Sequence, residues 1–175
     1  RNQRQGIFLC KIFQISHSSD KFIQPSMNGV ALNENIIDET EPITRVLFCP
    51  SMVDNGRVSP TAFELDNLDR GPEKYVSLFL LNIFIPTKDN CAILRARKEG
   101  DELYGYATSV ISKCSGITYD DIVLNFKRHD RNTAGHIGLH YSKGEKAIKG
   151  KCIDPSFIII TKMIASQFIA IPFPA

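Results

Sequence analysis

The sequence lacks the cysteine spacings that bind zinc or form a redox centre. Its five cysteines lie far apart along the chain, and no CxxC pair occurs. This spacing excludes a thioredoxin-like motif and a zinc ribbon. A secreted disulfide framework is also disfavoured, because such frameworks usually have an even cysteine count in a shorter chain. Most of the cysteines have apolar neighbours, so we expect small buried hydrophobic side chains in a reducing compartment.

The sequence also lacks a long hydrophobic run and a surplus of one charge. Its most apolar stretch, 157–173, is interrupted by Lys162, Gln167 and Pro172, whereas a membrane span needs about 20 mostly apolar residues. We expect no signal peptide, since Lys11 and Gln14 interrupt the only candidate stretch near the start. The net charge of +2 does not by itself indicate a nucleic-acid partner. We therefore expect a cytoplasmic protein without a membrane partner.

Three signatures of common enzyme classes are missing. The sequence contains no GxxxxGK[ST], no GxGxxG and no GxSxG. Nucleotide hydrolysis by a P-loop, dinucleotide binding by a Rossmann fold and α/β-hydrolase chemistry are therefore disfavoured. We predict no cofactor, and the sequence leaves open whether the protein is an enzyme.

Length and composition are those of one globular domain. The chain has 175 residues, of which 43% are hydrophobic and 23% charged. We predict either an irregular N-terminal arm or a strand plus a linker over residues 1–41, and a single α+β domain over 42–175. Several strands with two helices inserted or appended predict an α+β fold with a mostly antiparallel sheet and about two helices packed on it.

Alternation of apolar residues predicts strands at 43–49, 122–126 and 137–141. The segment 58–65 contains Pro60 and fits an edge strand or an extended loop. A further short strand is expected at 91–97, whereas the apolar run in 73–84 fits a strand or a helix equally well.

Two helices are predicted. The first has apolar residues at helical spacing and a natural stop at Gly116. The second begins with Asp154 as N-cap and Pro155 in the first turn. The apolar residues that define the two helices are Leu103, Ala107, Val110, Ile111 and Cys114 for the first, and Phe157, Ile160, Ile164 and Phe168 for the second.

Three of the four histidines fall within 127–141, beside several basic residues. His136 and His140 would share a metal ion on a helix, but Gly135 and Gly138 disfavour a helix, so we predict no metal site. On a strand both histidines lie on one face, with room above Gly138 for a ligand, and either is a candidate general acid or base. The alternative is a solvated hairpin with half-buried histidines at a sheet surface.

Basic residues around the histidines are candidates for binding phosphate or nucleic acid. Arg128 and Arg131 suit forked hydrogen bonds to a phosphate group. A run of four lysines follows, although such runs are usually solvated surface. These lysines are Lys143, Lys146, Lys149 and Lys151.

Arg57 and Ser59 lie in a loop-like stretch between predicted strands, and functional residues concentrate on such loops. The alternative is a tight turn in which Arg57 pairs with Asp54. The string NGRVSPTAFEL at 55–65, together with 75–78 and the Gly-His-Ile segment at 135–137, resembles a family of small bacterial proteins. The resemblance implies a bacterial cytoplasmic protein and points to Arg57, Ser59 and His136 as site residues. The family has no assigned activity, so the resemblance implies no reaction.

These observations lead to three hypotheses. The first is a binding or regulatory subunit with a protein partner, in a bacterial multi-protein system such as phage defence or toxin–antitoxin control. The second is an enzyme acting on a nucleotide or nucleic acid, with arginines on phosphate and His136 as acid or base. The third is nucleic-acid binding without catalysis. If Arg57 and His136 line one cleft, the enzyme is favoured.

Overall fold

The computed structural model describes residues 37–94, 96, 98–129 and 133–174. The predicted N-terminal arm therefore lies almost wholly outside the described residues. Within them the chain forms an α+β fold, as predicted, with strands and helices in the following order. The elements are β1 (Pro42–Cys49), β2 (Val53–Asp54), β3 (Arg57–Val58), β4 (Asn67–Leu68), β5 (Gly71–Pro72), β6 (Val76–Leu80), α1 (Lys88–Ala92), β7 (Glu102–Val110), α2 (Ile111–Ser115), β8 (Ile122–Arg128), β9 (His136–Lys143), β10 (Lys146–Ile148), α3 (Pro155–Ala165) and β11 (Ile169–Pro172).

Seven of the described strands form one antiparallel sheet. Its order is β10–β9–β6–β1–β7–β11, and β8 also pairs with β9. β1 is a central strand, paired with β7 along its whole length, and residues 43–48 are all buried. The pairs β2–β3 and β4–β5 form two small hairpins outside this sheet.

The helix predicted over Leu103–Cys114 is wrong in its first two thirds. Residues 102–110 form strand β7, and only the single turn α2 follows, ending at Gly116. Gly105, Ala107 and Ser109 alternate with larger residues in β7, which is a strand pattern that small side chains conceal. Sandwiched between β1 and β11, this segment completes two ladders, and that pairing outweighs its helical spacing.

Two further predictions need correction. Cys91 begins no strand but lies in helix α1, whose N-cap Thr87 accepts a hydrogen bond from the Asn90 amide at 3.2 Å. Residues 58–65 form no edge strand beyond β3, because Pro60 starts a 3₁₀ turn, Pro60–Phe63, capped by Ser59. The strands predicted at 43–49, 122–126 and 137–141 are confirmed, each within a slightly longer strand.

Helix α3 is confirmed and covers one face of the sheet. Asp154 accepts a hydrogen bond from the Ser156 amide at 2.9 Å, and Pro155 occupies the first turn, as predicted. The apolar stripe of the helix, including Phe157 and Ile160, is fully buried. Tyr141 of β9 meets Phe157 edge to face, with ring centroids 4.9 Å apart.

Tyr141→Phe is expected to lower the free energy of unfolding by about 1 to 2 kcal/mol. The Tyr141 hydroxyl is buried and donates to the Phe63 carbonyl at 2.7 Å, which joins β9 to the 3₁₀ turn. The substitution leaves that buried carbonyl without this donor. Urea denaturation of the variant measures the loss, and Tyr119→Phe is the control, because Tyr119 is 41% exposed. Equal stabilities of the two variants would contradict the prediction.

The four cysteines among the described residues are free. Cys91 and Cys114 are fully buried, as predicted, whereas Cys49 and Cys152 are partly buried. Burial raises the pKa of the Cys91 thiol to about 11, so it stays protonated at neutral pH. None of the helices in the described segments has the length and apolar character needed to cross a bilayer.

Candidate functional site

A cleft opens where β1 and β6 separate. The two strands pair only at Ile43–Leu80 and Thr44–Phe79. Beyond these pairs the Arg45 side chain enters the gap, where Nη1 donates to the Ser77 carbonyl at 2.8 Å and Nε donates to the Ala62 carbonyl at 3.0 Å. Arg45 is only 8% exposed, so its guanidinium forms a buried bridge between the two strands.

The cleft has a volume of about 800 Å³, within the range of ligand sites. Its apolar lining comes from the sheet, from the segment after α1, and from Met52 and Leu68. The charged residues of the β4–β5 hairpin and its base form one wall, and the other polar residues come from β1, β6, β9 and position 133. The apolar residues are Val46, Phe48, Met52, Leu68, Phe79, Ile93, Leu94 and Ala96, and the polar ones are Arg45, Asp66, Asn67, Asp69, Arg70, Glu73, Ser77, Thr133 and His136.

The charged wall of the cleft is held in shape by the hairpin itself. The Glu73 carboxylate accepts a hydrogen bond from the Asp66 amide at 2.8 Å, and the Glu73 amide donates to the Asp66 carbonyl at 2.9 Å. Glu73 therefore closes the base of the hairpin, while Asp69 and Arg70 at its tip are exposed. Among the described residues of the lining, two arginines and three carboxylates give a formal charge of −1.

His136, at one end of the cleft, begins a cluster of aromatic rings on the sheet face opposite α3. His136 pairs with Phe79 across the β6–β9 ladder, and their ring centroids are 5.2 Å apart. His136 and His140 lie on one face of β9, as predicted from alternation. His129 and Tyr75, which the sequence did not place here, complete the cluster.

The space expected above Gly138 is occupied by protein. A Cβ at Gly138 would lie 2.7 Å from Cδ2 and Nε2 of His129 and 2.9 Å from Cγ of Tyr75. These two rings stack with centroids 4.2 Å apart. Gly138 thus makes room for the side chains of His129 and Tyr75. The prediction that a ligand approaches this backbone is wrong, because these two rings fill the space.

His129 and His140 contact each other through Nε2 atoms 3.0 Å apart. Their ring centroids are 5.3 Å apart, which is the separation of two imidazoles that meet end to end. A zinc ion needs about 2.0–2.1 Å to each nitrogen and does not fit on the line between them. Among the residues that the structure describes, no group of three or more metal-binding side chains is arranged so that it could hold a metal ion.

The pKa of His140 is lowered to about 4. Burial is the main cause, because it penalises the charged imidazolium. The positive charges of His129 and Lys127 lower it further, and a main-chain hydrogen bond with Lys74 opposes the shift. At neutral pH the His140 ring is therefore uncharged.

Arg57 and Ser59 lie apart from this cluster. Arg57 is exposed in β3 and lies opposite Asp54 in the ladder of the tight β2–β3 turn, which was the alternative interpretation of this stretch. The Ser59 hydroxyl caps the 3₁₀ turn and accepts from the Thr61 hydroxyl at 2.9 Å. Neither residue is among those that line the cleft with His136.

The basic residues do not converge either. Arg128 pairs with Ile137 and Lys143 with Ile122, at opposite ends of the β8–β9 ladder, about 20 Å apart for six residues of strand. Lys143 contacts Asp120 at 2.7 Å and Asp154 at 3.3 Å. Lys146, Lys149 and Lys151 are exposed around the turn and Gly150, and Arg131 lies outside the described residues.

Fold and site together define an α+β domain with an open cleft, partly apolar and partly polar, beside a cluster of three histidines. No protein-family model, no curated protein and no solved structure matches this chain. The cleft and the cluster are therefore interpreted from their own chemistry.

Proposed function

We propose that the protein is a binding subunit whose cleft receives a short extended segment of a partner protein. The observation that carries the proposal is the cleft at the separation of β1 and β6, whose lining combines apolar side chains with polar and charged ones. A peptide presents both kinds of group along one backbone. The wider setting in phage defence or toxin–antitoxin control stays a prediction.

The apolar rim of the cleft favours a macromolecular ligand. Ile93, which lines the cleft, is 77% exposed. Exposed apolar side chains next to a polar wall are typical of protein-binding surfaces. Covering one isoleucine contributes about 1.5–3 kcal/mol, which makes Ile93 a natural anchor for an apolar partner residue.

The charged wall predicts the chemistry of the partner segment. Asp66, Asp69 and Glu73 outnumber Arg45 and Arg70, and Arg45 is buried in the floor. The part of the exposed wall that the structure describes is thus more acidic than basic. A segment with an apolar residue followed by a lysine or arginine complements both sides of the cleft.

A displayed library of random peptides, selected against the whole chain, tests this proposal. We expect selected peptides to combine an apolar and a basic residue. Ile93→Asp is expected to weaken a selected peptide at least about tenfold, equivalent to 1.4 kcal/mol. Ile153→Asp is the matched control, because Ile153 is similarly exposed, at 84%, and does not line the cleft.

Two results would contradict the proposal. One is the recovery of no peptide that competes for the cleft. The other is an equal loss of affinity in the Ile93 and Ile153 variants, which would place binding elsewhere or make it nonspecific.

A nucleotide ligand is the second candidate. Its supporting observation is that Arg45, Arg70 and His136 line the same cleft, although Arg57 does not. The chain has no tryptophan and five tyrosines, so a bound nucleotide would raise the ratio of absorbance at 260 nm to that at 280 nm strongly. A protein-like ratio after purification, with a second polypeptide in native mass spectrometry, favours the partner-binding proposal. A high ratio with a defined extra mass favours the nucleotide.

A further inference from the structure

Two imidazoles from different strands meet end to end beside the cleft. His140 lies in β9 and His129 directly after β8, and their Nε2 atoms are 3.0 Å apart. The His129 ring lies directly over Gly138, where a side chain would displace it, and the Tyr75 ring stacks on His129. This contact joins two ring nitrogens, so it is a hydrogen bond only while one of the two Nε2 atoms carries no proton.

We propose that His129 and His140 form a pH-sensitive switch, in contact while the Nε2 of His140 is unprotonated and separated when that atom takes a proton. This device goes beyond the proposed binding function and needs no ligand to operate.

The proton positions follow from the hydrogen bonds. Nε2 of His140 faces His129, so the main-chain hydrogen bond with Lys74 falls to Nδ1 of His140. In neutral His140 the Nε2 lone pair therefore accepts, and His129 donates its Nε2 proton. A proton on Nδ1 of His129 would leave this hydrogen bond intact, as a charge-assisted bond. A second proton, on Nε2 of His140, would set two N–H groups against each other and break the contact.

The surroundings oppose that second proton. Burial, the charge on His129 and the charge on Lys127 all lower the pKa of His140, in that order of importance, to about 4. The unfolded chain, in which the pKa is near 6.5, therefore binds more protons between these two values. Lowering the pH from 6.5 to about 4 therefore lowers the free energy of unfolding, and the full contribution of the neutral His140 to stability is present above pH 6.5. The titratable and charged groups that face His140 are Lys127 and His129 from β8 and its end, and Lys74 and Tyr75 before β6.

Separation of His129 from His140 affects the cleft through His136, which contacts His129 and lines the cleft. The His136 ring centroid is 5.7 Å from that of His129 and 5.8 Å from that of Tyr75, and His136 lines the cleft. Loss of the His129 contact frees both neighbours to move. The resulting change in affinity for a partner segment rests on the proposed function, whereas the switch itself does not.

Imidazole nitrogen NMR of the whole chain between pH 7.5 and 3.5 tests the switch without a ligand. We expect His140 to stay neutral until about pH 4, with the ring signals of Tyr75 changing in the same step. His129→Phe keeps a ring over Gly138 but removes the nitrogen, so His140 should titrate at a higher pH. His136→Asn is the control and should leave the titration of His140 in place.

Three results would overturn the proposal. His140 titrates near its ordinary value in the wild-type protein, or it titrates identically in wild type and His129→Phe, or the Tyr75 ring does not respond. If acid unfolds the chain before His140 titrates, the test is the change in the free energy of unfolding between pH 6.5 and 5. We expect it to fall with pH in the wild type and to fall less in His129→Phe, and equal slopes would overturn the switch.

Discussion

Replacing Gly105 by alanine is expected to lower the free energy of unfolding by about 3 kcal/mol, since overpacking against a rigid neighbour costs that much. Gly105 lies in β7, opposite Pro172 of the edge strand β11. A Cβ at this position would collide with the Ile171 carbonyl oxygen and lie 2.8 Å from the Pro172 Cα. Both atoms belong to the main chain, so no side-chain rotation relieves the clash and β11 has to move away.

Gly116→Ala is the matched control for this prediction. Gly116 follows α2 with a φ of −82°, and a Cβ there meets nothing within 4 Å. This variant is expected to keep or slightly raise the stability, because alanine restricts the unfolded chain. Thermal and urea denaturation of both variants give the comparison. A Gly105→Ala protein as stable as Gly116→Ala would show that β11 does not pack against β7 as described.

The same segment shows where local sequence patterns mislead. Leu103, Ala107 and Val110 have helical spacing, yet they belong to a strand whose character depends on pairing with both β1 and β11. These partners lie some sixty residues away on either side, and no local pattern contains them. Tertiary pairing of this kind regularly overrides intrinsic preference.

Elements whose signals are local were predicted well. The N-cap Asp154 and Pro155 define the start of α3 within two adjacent residues. Alternation of apolar residues was sufficient for β8 and β9, and it placed His136 and His140 on one face. The α+β class follows from the presence of these strands and helices and does not depend on the exact topology of the sheet.

The composition of the site was harder to predict. His129 reaches His140 from the next strand, and Tyr75 arrives from a third segment, so their contacts depend on the register of two ladders. Gly138 between two histidines was a visible signal of close approach, but the sequence did not reveal that protein side chains fill the space. Arg45 was likewise visible as a charged residue within the apolar string ITRVLFC. Its role as a buried bridge could not be predicted, because it depends on the separation of β1 from β6.

That separation makes Arg45 the second residue with a large expected effect. Arg45→Met is expected to lower the free energy of unfolding by about 3 kcal/mol, because each hydrogen bond to a charged group contributes about 1.5–3 kcal/mol. Methionine retains the apolar stem of the side chain but donates nothing to the Ser77 and Ala62 carbonyls. Arg45→Lys should give an intermediate loss, since an ammonium group does not reproduce the planar fork of donors.

Arg70→Met is the control for this second prediction, because Arg70 lines the same cleft but is exposed. Its removal should change the free energy of unfolding by less than about 0.5 kcal/mol, as is usual for surface substitutions. Amide hydrogen exchange locates the damage: exchange at Val46 and Ser77, on the two sides of the gap, should accelerate in Arg45→Met more than exchange in β8. If Arg45→Met and Arg70→Met are equally stable, the buried guanidinium does not join the strands. The cleft would then depend on the β4–β5 hairpin alone, and its floor would be free to close when no partner is bound.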